Sequence, residues 1–391
     1  MKKGKWSKDE VKVLEKNFAL MTNPELAKKL DRSIDSVERK MYRLGLKKSD
    51  MADKNLPVEQ QVEIDEVVKA QSKKTKVIKK KYQFLLDKID ILEKERSVVY
   101  RLSEKPHTIS ILPEVPNGSE ATAFIIASDW HYEETVKSEV VSGLNKYNLN
   151  IAHQRITKFF QGGLRLYDLM RKDVKIKNIV LALLGDFITG NIHEEFLETC
   201  SLQPMDAIWE VYEEIVSGID FLLKNSDANL IIPCVSGNHP RITKQIHYST
   251  ESGNSLEYFM YRSIAKHYEA NKRVEVIVAK GYHCYLDIYG KVIRFHHGHA
   301  IRYAGGIGGI TIPANKAIAQ WNKARHADLD VFAHFHQLKN LGNWVCNGSI
   351  IGYNAFALRI KADYETARQS FFLFDRDRGL TITAPILVNG K

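Results

Sequence analysis

Cysteine is scarce in this chain. Four occur in 391 residues (Cys200, Cys234, Cys284 and Cys346), and none belongs to a CxxC pair. That scatter excludes a disulfide framework and a zinc knuckle, and it fits the reduced thiols of a cytoplasm. No apolar run reaches the roughly 18 residues that a membrane span needs, so no membrane partner is expected. The opening Met1-Lys2-Lys3-Gly4-Lys5-Trp6 is basic, but no apolar stretch follows it. A secretory leader is therefore not expected, and the expected address is cytoplasmic. Internal repeats of about 20–50 residues are missing too, which argues against a solenoid. Glycine and proline are absent between Pro57 and Pro106, so nothing in that stretch breaks a helix.

What is present is unevenly distributed. The formal net charge is +10. Residues 1–105 hold 27 Lys and Arg against 18 Asp and Glu, whereas the remainder holds 30 against 29. A basic segment joined to a near-neutral body is the pattern of a polyanion-binding appendage.

Residues 1–48 read as three short helices. Ser7 with Glu10 forms a capping box before a helix over Lys8–Phe18. Thr22 or Asn23 caps a second, with Pro24 in its first turn. Ser33 precedes a third that ends at Gly45, with Ile34, Val37, Met41 and Leu44 on its apolar face. Ser36, Arg39, Lys40 and Arg43 then occupy the exposed face. With Trp6 in front of it, this pattern resembles Myb/SANT-like helix-turn-helix domains. The resemblance implies that the third helix enters the major groove and that those four residues face DNA. Residues 49–105 read as a linker and a long helix in which Ile78, Leu85, Leu92 and Val99 recur every seven residues. Such a seam is a candidate coiled coil, and residues 73–99 are a candidate homodimer surface.

From residue 106 onward the texture alternates between strands and helices, an α/β pattern. Strands are expected at Ala121–Ser128, Asn178–Leu184, Asn229–Val235, Lys291–His296 and Leu329–Phe332. Helices are expected at Ile151–Arg171, Met205–Leu223 and Leu256–Ala270. Each of the five strands runs into candidate metal ligands: Asp129-Trp130-His131, Gly185-Asp186, Gly237-Asn238-His239, His296-His297-Gly298-His299, and His334-Phe335-His336. A lone histidine beside a strand is ordinarily core or surface. Five clusters in order, all at strand ends, are not a product of chance. Paired cations about 3.5–4 Å apart can clamp a phosphate and activate a water, and mixed His, Asp and Asn donors suit Mn, Fe or Zn rather than Ca.

The ordered series D-x-H, G-D, G-N-H, H and x-H-x-H resembles the calcineurin-like metallophosphoesterase signature over about residues 121–345. The resemblance implies a two-sheet β-sandwich flanked by helices, with two divalent ions, Mn²⁺ first and Fe or Zn as alternatives. It implies that Asp129, His131 and His336 bind one ion, that Asp186 bridges, and that Asn238, His297 and His334 complete the second site. The fourth motif leaves His296, His297 and His299 open, with His297 favoured by its place in H-G-H. His239 would stabilise the phosphate or protonate the leaving oxygen. The family commonly carries a carboxylate after G-N-H; here Pro240 and Arg241 follow, so His239 needs another orienting group. Arg241 is a candidate for substrate phosphate, Asn191 and His193 for the cleft wall, and the glycine-rich Tyr303–Gly309 for a lid. A DNA nuclease is the expected activity. The alternatives are a phosphatase acting on protein, nucleotide or small phosphoesters, and a DNA-binding regulator with an inactive metal domain.

Overall fold

The computed structural model describes residues 6–46, 109–113, 119–303 and 309–389. The chain divides into two compact units, Met1–Leu92 and Glu93–Lys391. The seven-residue seam at 73–99, the rest of the 49–105 linker and residues 304–308 of the glycine-rich loop lie outside the described residues.

In the first unit, α1 (Lys8–Asn17), α2 (Asn23–Leu30) and α3 (Ile34–Arg43) follow one another closely. Capping boxes form at Ser7/Glu10 and Thr22/Glu25, and Ser33 caps α3. Each such cap is worth about 1 kcal/mol, which matters for helices this short. Leu14, Leu26, Leu30, Val37 and Met41 make the core. Ile34, expected on the apolar face, is 45% exposed at the first position of α3. Arg32 is buried beneath Trp6, 4.6 Å from its ring, and bonds both oxygens of Glu10.

The second unit is built on two six-stranded sheets. One has the order β12-β11-β2-β3-β4-β5, the other β1-β6-β7-β8-β10-β9. In the first, β2 (Glu120–Ala127), β3 (Lys175–Leu183), β4 (Asn229–Cys234) and β5 (Val274–Val278) run parallel. Two antiparallel strands, β11 (Arg368–Asp375) and β12 (Gly379–Leu387), extend its edge. In the second, β1 (Ile109–Ile111) lies parallel to β6 (Cys284–Ile288), which pairs antiparallel with β7 (Lys291–Phe295). Parallel strands β8 (Leu329–Phe332) and β10 (Trp344–Cys346) follow, with β9 (Lys339–Asn340) at the edge.

Alternation within strands explains the layers. All of β2 is buried, as an apolar run covered on both faces must be. Phe124 and Ile126 enter the core between the sheets, where Phe124 stacks on Phe372 with ring centroids 4.4 Å apart. Ala123 and Ile125 face the opposite way, onto α4 (Leu149–Met170), α6 (Pro204–Asn225) and α7 (Leu256–His267). Between α4 and α6 lies the short α5 (Phe196–Thr199). On the far side of the second sheet, α8 (Thr311–Ala324) packs through Ala314 and Ile318 against Phe332 and Trp344. The short α9 (Ala355–Ile360) precedes β11. The result is the helix-flanked two-sheet sandwich expected from the sequence. The four cysteines are unpaired, and no helix among the described residues is long and apolar enough to cross a membrane.

Candidate metal centre

Every candidate ligand leaves the C-terminal end of β2, β3, β4, β7 or β8, so parallel pairing within each sheet brings the turns to one edge. The turns are sharp. Nine non-glycine residues among those described have positive φ, and five are candidate ligands: Asp129 (52°), His131 (46°), Asp186 (54°), His334 (75°) and His336 (54°). Such backbone costs on the order of 1–3 kcal/mol per residue and persists where the surroundings over-determine it. Gly185 and Gly237 allow the β3 and β4 turns to touch; a Cβ on either would collide with the other turn's backbone.

The side chains meet in three overlapping groups. Donor atoms of Asp129, His131 and His336 lie within 4.8 Å of one another, as do those of His131, Asp186 and His239, and those of Asp186, His297 and His334. Asp186 belongs to the second and third groups, and His131 to the first and second. Asn238 lines the same cavity. Among the described residues, buried atoms at this edge lack hydrogen-bond partners: Asp129 Oδ1, His131 Nε2, Asn238 Oδ1 and His336 Nδ1. An unsatisfied buried polar atom costs about 1–3 kcal/mol, so the set is a poor way to stabilise a chain and a good way to hold a cation. Oxygen and imidazole donors without thiolate fit divalent ions of the Mn, Fe and Zn kind.

Hydrogen bonds aim each donor. His297 Nδ1 donates to the Leu184 carbonyl at 2.7 Å, which leaves Nε2 facing Asp186 Oδ2 at 2.8 Å. Thr189 Oγ1 donates to Glu134 at 3.0 Å and so accepts from His131 Nδ1 at 3.0 Å, freeing His131 Nε2. Ser128 Oγ and the His334 N–H occupy Asp129 Oδ2, and the His239 N–H occupies Asp186 Oδ1 at 2.8 Å. His239 itself donates Nδ1–H to the Thr189 carbonyl at 2.9 Å. A backbone carbonyl thus does the orienting that a carboxylate after G-N-H would have done.

The electrostatics agree with a site that seeks positive charge. Burial opposes ionisation of Asp186, yet His297, His239 and His131 outweigh it and hold the carboxyl well below the usual range. Burial also disfavours a charged His297, but Asp186 and Asp129 overcome it and push the pKa up to about 9. His131 and His334 go the other way, driven well below the ordinary value by burial first and then by neighbouring histidines. Burial lowers His239 as well, with Asp186 opposing.

Among the three histidines of the fourth motif, His297 reaches Asp186. His296 lies on the opposite face, its Nε2 3.5 Å from Asp330, and His299 Nε2 lies 3.3 Å from Glu251. His193 lines the cavity; Asn191 and Arg241 line a separate one. The Arg241 guanidinium is held by the Asn238 and Thr243 carbonyls, and the cavity it lines also includes His239. Several residues escaped the sequence reading. Glu257 on α7 accepts the N–H of Phe187 at 2.7 Å and of Gly237 at 2.8 Å, tying two ligand turns together. Glu133 accepts from Thr189 and Gly190, and Glu134, Phe196, Phe356 and Arg359 line the cavity.

In the first unit, Arg39 and Arg43 are exposed on α3, and Arg39 pairs with Asp35 in the preceding turn. Ser36 is half-buried and its N–H is taken by the Ser33 cap, while Lys40 leans over Trp6 at 6.0 Å. Tyr42, which the sequence reading passed over, is 87% exposed beside them.

No family model matches the chain, and no curated protein does. Among solved structures it is similar to a single mutant of Vps29 from Entamoeba histolytica, with 11% identity, 67% of this chain and 98% of that one covered, and a TM-score of 0.28. It is also similar to a hypothetical protein from Pyrococcus horikoshii OT3, with 10% identity, coverage of 68% and 88%, and a TM-score of 0.33. Likenesses of that strength decide nothing, and the reading rests on the site's own geometry.

Proposed function

We propose that this chain is a divalent-metal-dependent phosphoesterase of the calcineurin-like superfamily, acting on the phosphodiesters of DNA. The observation that carries the reading is Asp186, a buried carboxylate common to two donor groups at an edge where unpartnered ligand atoms converge. Asp129, His131 and His336 would hold one ion, Asn238, His297 and His334 the other, and Asp186 both. Ions bound there supply Lewis-acid charge for phosphoryl oxygens and a nucleophile from water near neutral pH. Mn²⁺ suits these donors, with Fe and Zn as alternatives.

The chain's own residues supply the rest. Strained turns fix the ligands before substrate arrives, so little reorganisation remains for the reacting state. The Thr189 carbonyl holds His239 by Nδ1, which leaves Nε2 to stabilise a phosphoryl oxygen or to carry a proton to the leaving oxygen. Burial lowers the pKa of this imidazole, so proton delivery from Nε2 draws on the imidazolium form, which the negative charge of a bound phosphate favours. For DNA as substrate, the support is the basic excess of residues 1–105 and the exposed Arg39 and Arg43 on α3.

Turnover of bis-p-nitrophenyl phosphate, with and without Mn²⁺, tests the reaction class. Wild type should show metal-dependent turnover, and Asp186→Ala should lose more than the ~10–100-fold that changes around a metal's ligands cost. Absence of metal-dependent turnover in the wild type would instead favour a DNA-binding regulator with an inactive metal domain. Deleting residues 1–48 tests targeting: cleavage of DNA should fall while the small reporter is spared. If DNA is no better a substrate than other phosphoesters with or without that segment, the phosphatase alternative takes over.

A further inference from the structure

The cavity over the metal centre measures about 330 Å³, near the lower end of the roughly 300–1,000 Å³ typical of small-molecule sites. Its walls differ from its floor. The floor is His131, Asp186, Asn238, His334 and His336, whereas the walls carry two half-buried aromatic rings that belong to no ligand motif. Phe196, on α5, has its ring centroid 5.5 Å from that of His239. Phe356, on α9, lies 5.2 Å from His336 and 6.1 Å from His334. The Arg359 guanidinium sits 5.7 Å from the Phe356 ring centroid, and no carboxylate among the described residues pairs with it. Among the described residues it is also the one Lys or Arg on the cavity wall. Glu134 and Glu195 stand on the wall as well.

The charge pattern narrows the substrate. A polyphosphate needs several cations beyond the metal centre; here one guanidinium is offset by two carboxylates. What the walls provide is π surface. Aromatic faces and guanidinium planes stack on nucleobases, and such stacking tolerates any base because each has a π face. A room of this size accepts one phosphoryl group with one adjoining ring and leaves no space for a base pair. The geometry points to a nucleoside phosphodiester with an unpaired base as the substrate, the base stacking on Phe356 and Arg359 with Phe196 on the facing wall. This rests on the phosphoesterase reading above and specifies it. Duplex DNA must therefore open, or offer a single-stranded end, before the bond beside such a base can be cut.

Two esters with the same leaving group test it on the full chain with Mn²⁺: thymidine 5′-(p-nitrophenyl phosphate) and methyl p-nitrophenyl phosphate. Wild type should prefer the nucleoside ester in kcat/KM by about tenfold or more, the range expected of one stacked base. Phe356→Ala should bring the ratio of the two kcat/KM values close to one, and Phe356→Tyr should restore it. A merely structural defect moves both esters together and leaves the ratio in place. Single-stranded oligonucleotide should be cut at least tenfold faster than the interior of a duplex, which separates a base within a strand from a free nucleoside ester. Turnover of neither ester by the wild type would remove the phosphoesterase reading and this inference with it. Turnover of both at equal kcat/KM, or a preference that survives Phe356→Ala, would overturn the stacking wall alone.

Discussion

Two buried polar clusters meet where β7 and β8 end, and they are built on opposite plans. On the outer face of the second sheet, beneath α8, Arg294 and Asp330 meet in a two-point contact of 2.7 and 3.0 Å. Arg294 adds bonds to Asn322 and to the Arg325 carbonyl, and its guanidinium lies 5.4 Å from the Trp321 ring. Positive and negative charge are both inside, and they answer each other. At the sheet edge, Asp129 and Asp186 are just as buried, yet no lysine or arginine among the described residues pairs with either, and unpartnered ligand atoms gather there. The contrast separates a buried polar cluster whose opposite charges are paired with each other from one whose carboxylates are grouped with histidines. Burial alone does not distinguish them; the census of partners does.

Substitution should make the two clusters fail differently. Asp330→Ala leaves the Arg294 guanidinium buried without its counter-charge, which costs about 3–5 kcal/mol. Urea unfolding should show that loss, while the protein that remains folded keeps its metal-dependent turnover. A cost within about 1 kcal/mol, as at an exposed pair, would mean that the outer cluster does not close on itself in solution. Glu257→Gln probes the edge without touching a ligand. A carboxylate accepts at both oxygens, but an amide offers one oxygen and one NH₂. One of the two N–H groups, Phe187 or Gly237, must then face a donor, and the turns carrying Asp186 and Asn238 drift apart. Metal affinity, read by isothermal titration, should fall by about 10–100-fold while the helical signal of α7 persists. Unaltered affinity would show that the turns hold their own shape.

The same contrast marks what could be read in the sequence. The five strands and the turns after them were legible because each is local: a short apolar run, then Gly, Asp, Asn or His within a few positions. Caps at Ser7, Thr22 and Ser33 were legible for the same reason. Strand parity would also have settled the fourth motif. Ile293 and Phe295 face the core between the sheets, so His297 continues their side and His296 falls with Arg294 on the outer one. What stayed hidden depends on contacts across the fold. Glu257 reaches a turn 70 positions away, and Thr189 serves His131 from 58 positions off; neither carries a local mark. Strand β12 was missed because it buries little and does not alternate cleanly. Phe356 and Arg359 sit on a six-residue helix whose sequence looks like any surface turn.

Acidity offers the finest test of the contrast, because the edge substitutes a proton where it expects an ion. In the metal-free protein His297 titrates near 9, above the ordinary 6.5, because Asp186 and Asp129 outweigh the burial that opposes its charge. The folded state thus binds this proton more tightly than the unfolded chain. Its contribution to stability is complete below about pH 6.5 and disappears as pH rises through about 9. Asp186, held well below the carboxylate range, stays ionised throughout that window, and His131 and His334 are already neutral in it. An ion entering between Asp186, His297 and His334 must displace the His297 proton, and Glu134 and Glu257, pushed up by burial to about 7 and about 8, release protons over the same range. Its affinity should therefore rise by at least about tenfold per pH unit between 7 and 8.5. Over the same interval the Tm of the metal-free protein should decline and that of the loaded protein should hold. A flat affinity profile would mean that no proton occupies the place kept for the ion, and the edge would lose its distinction from the cluster beneath α8.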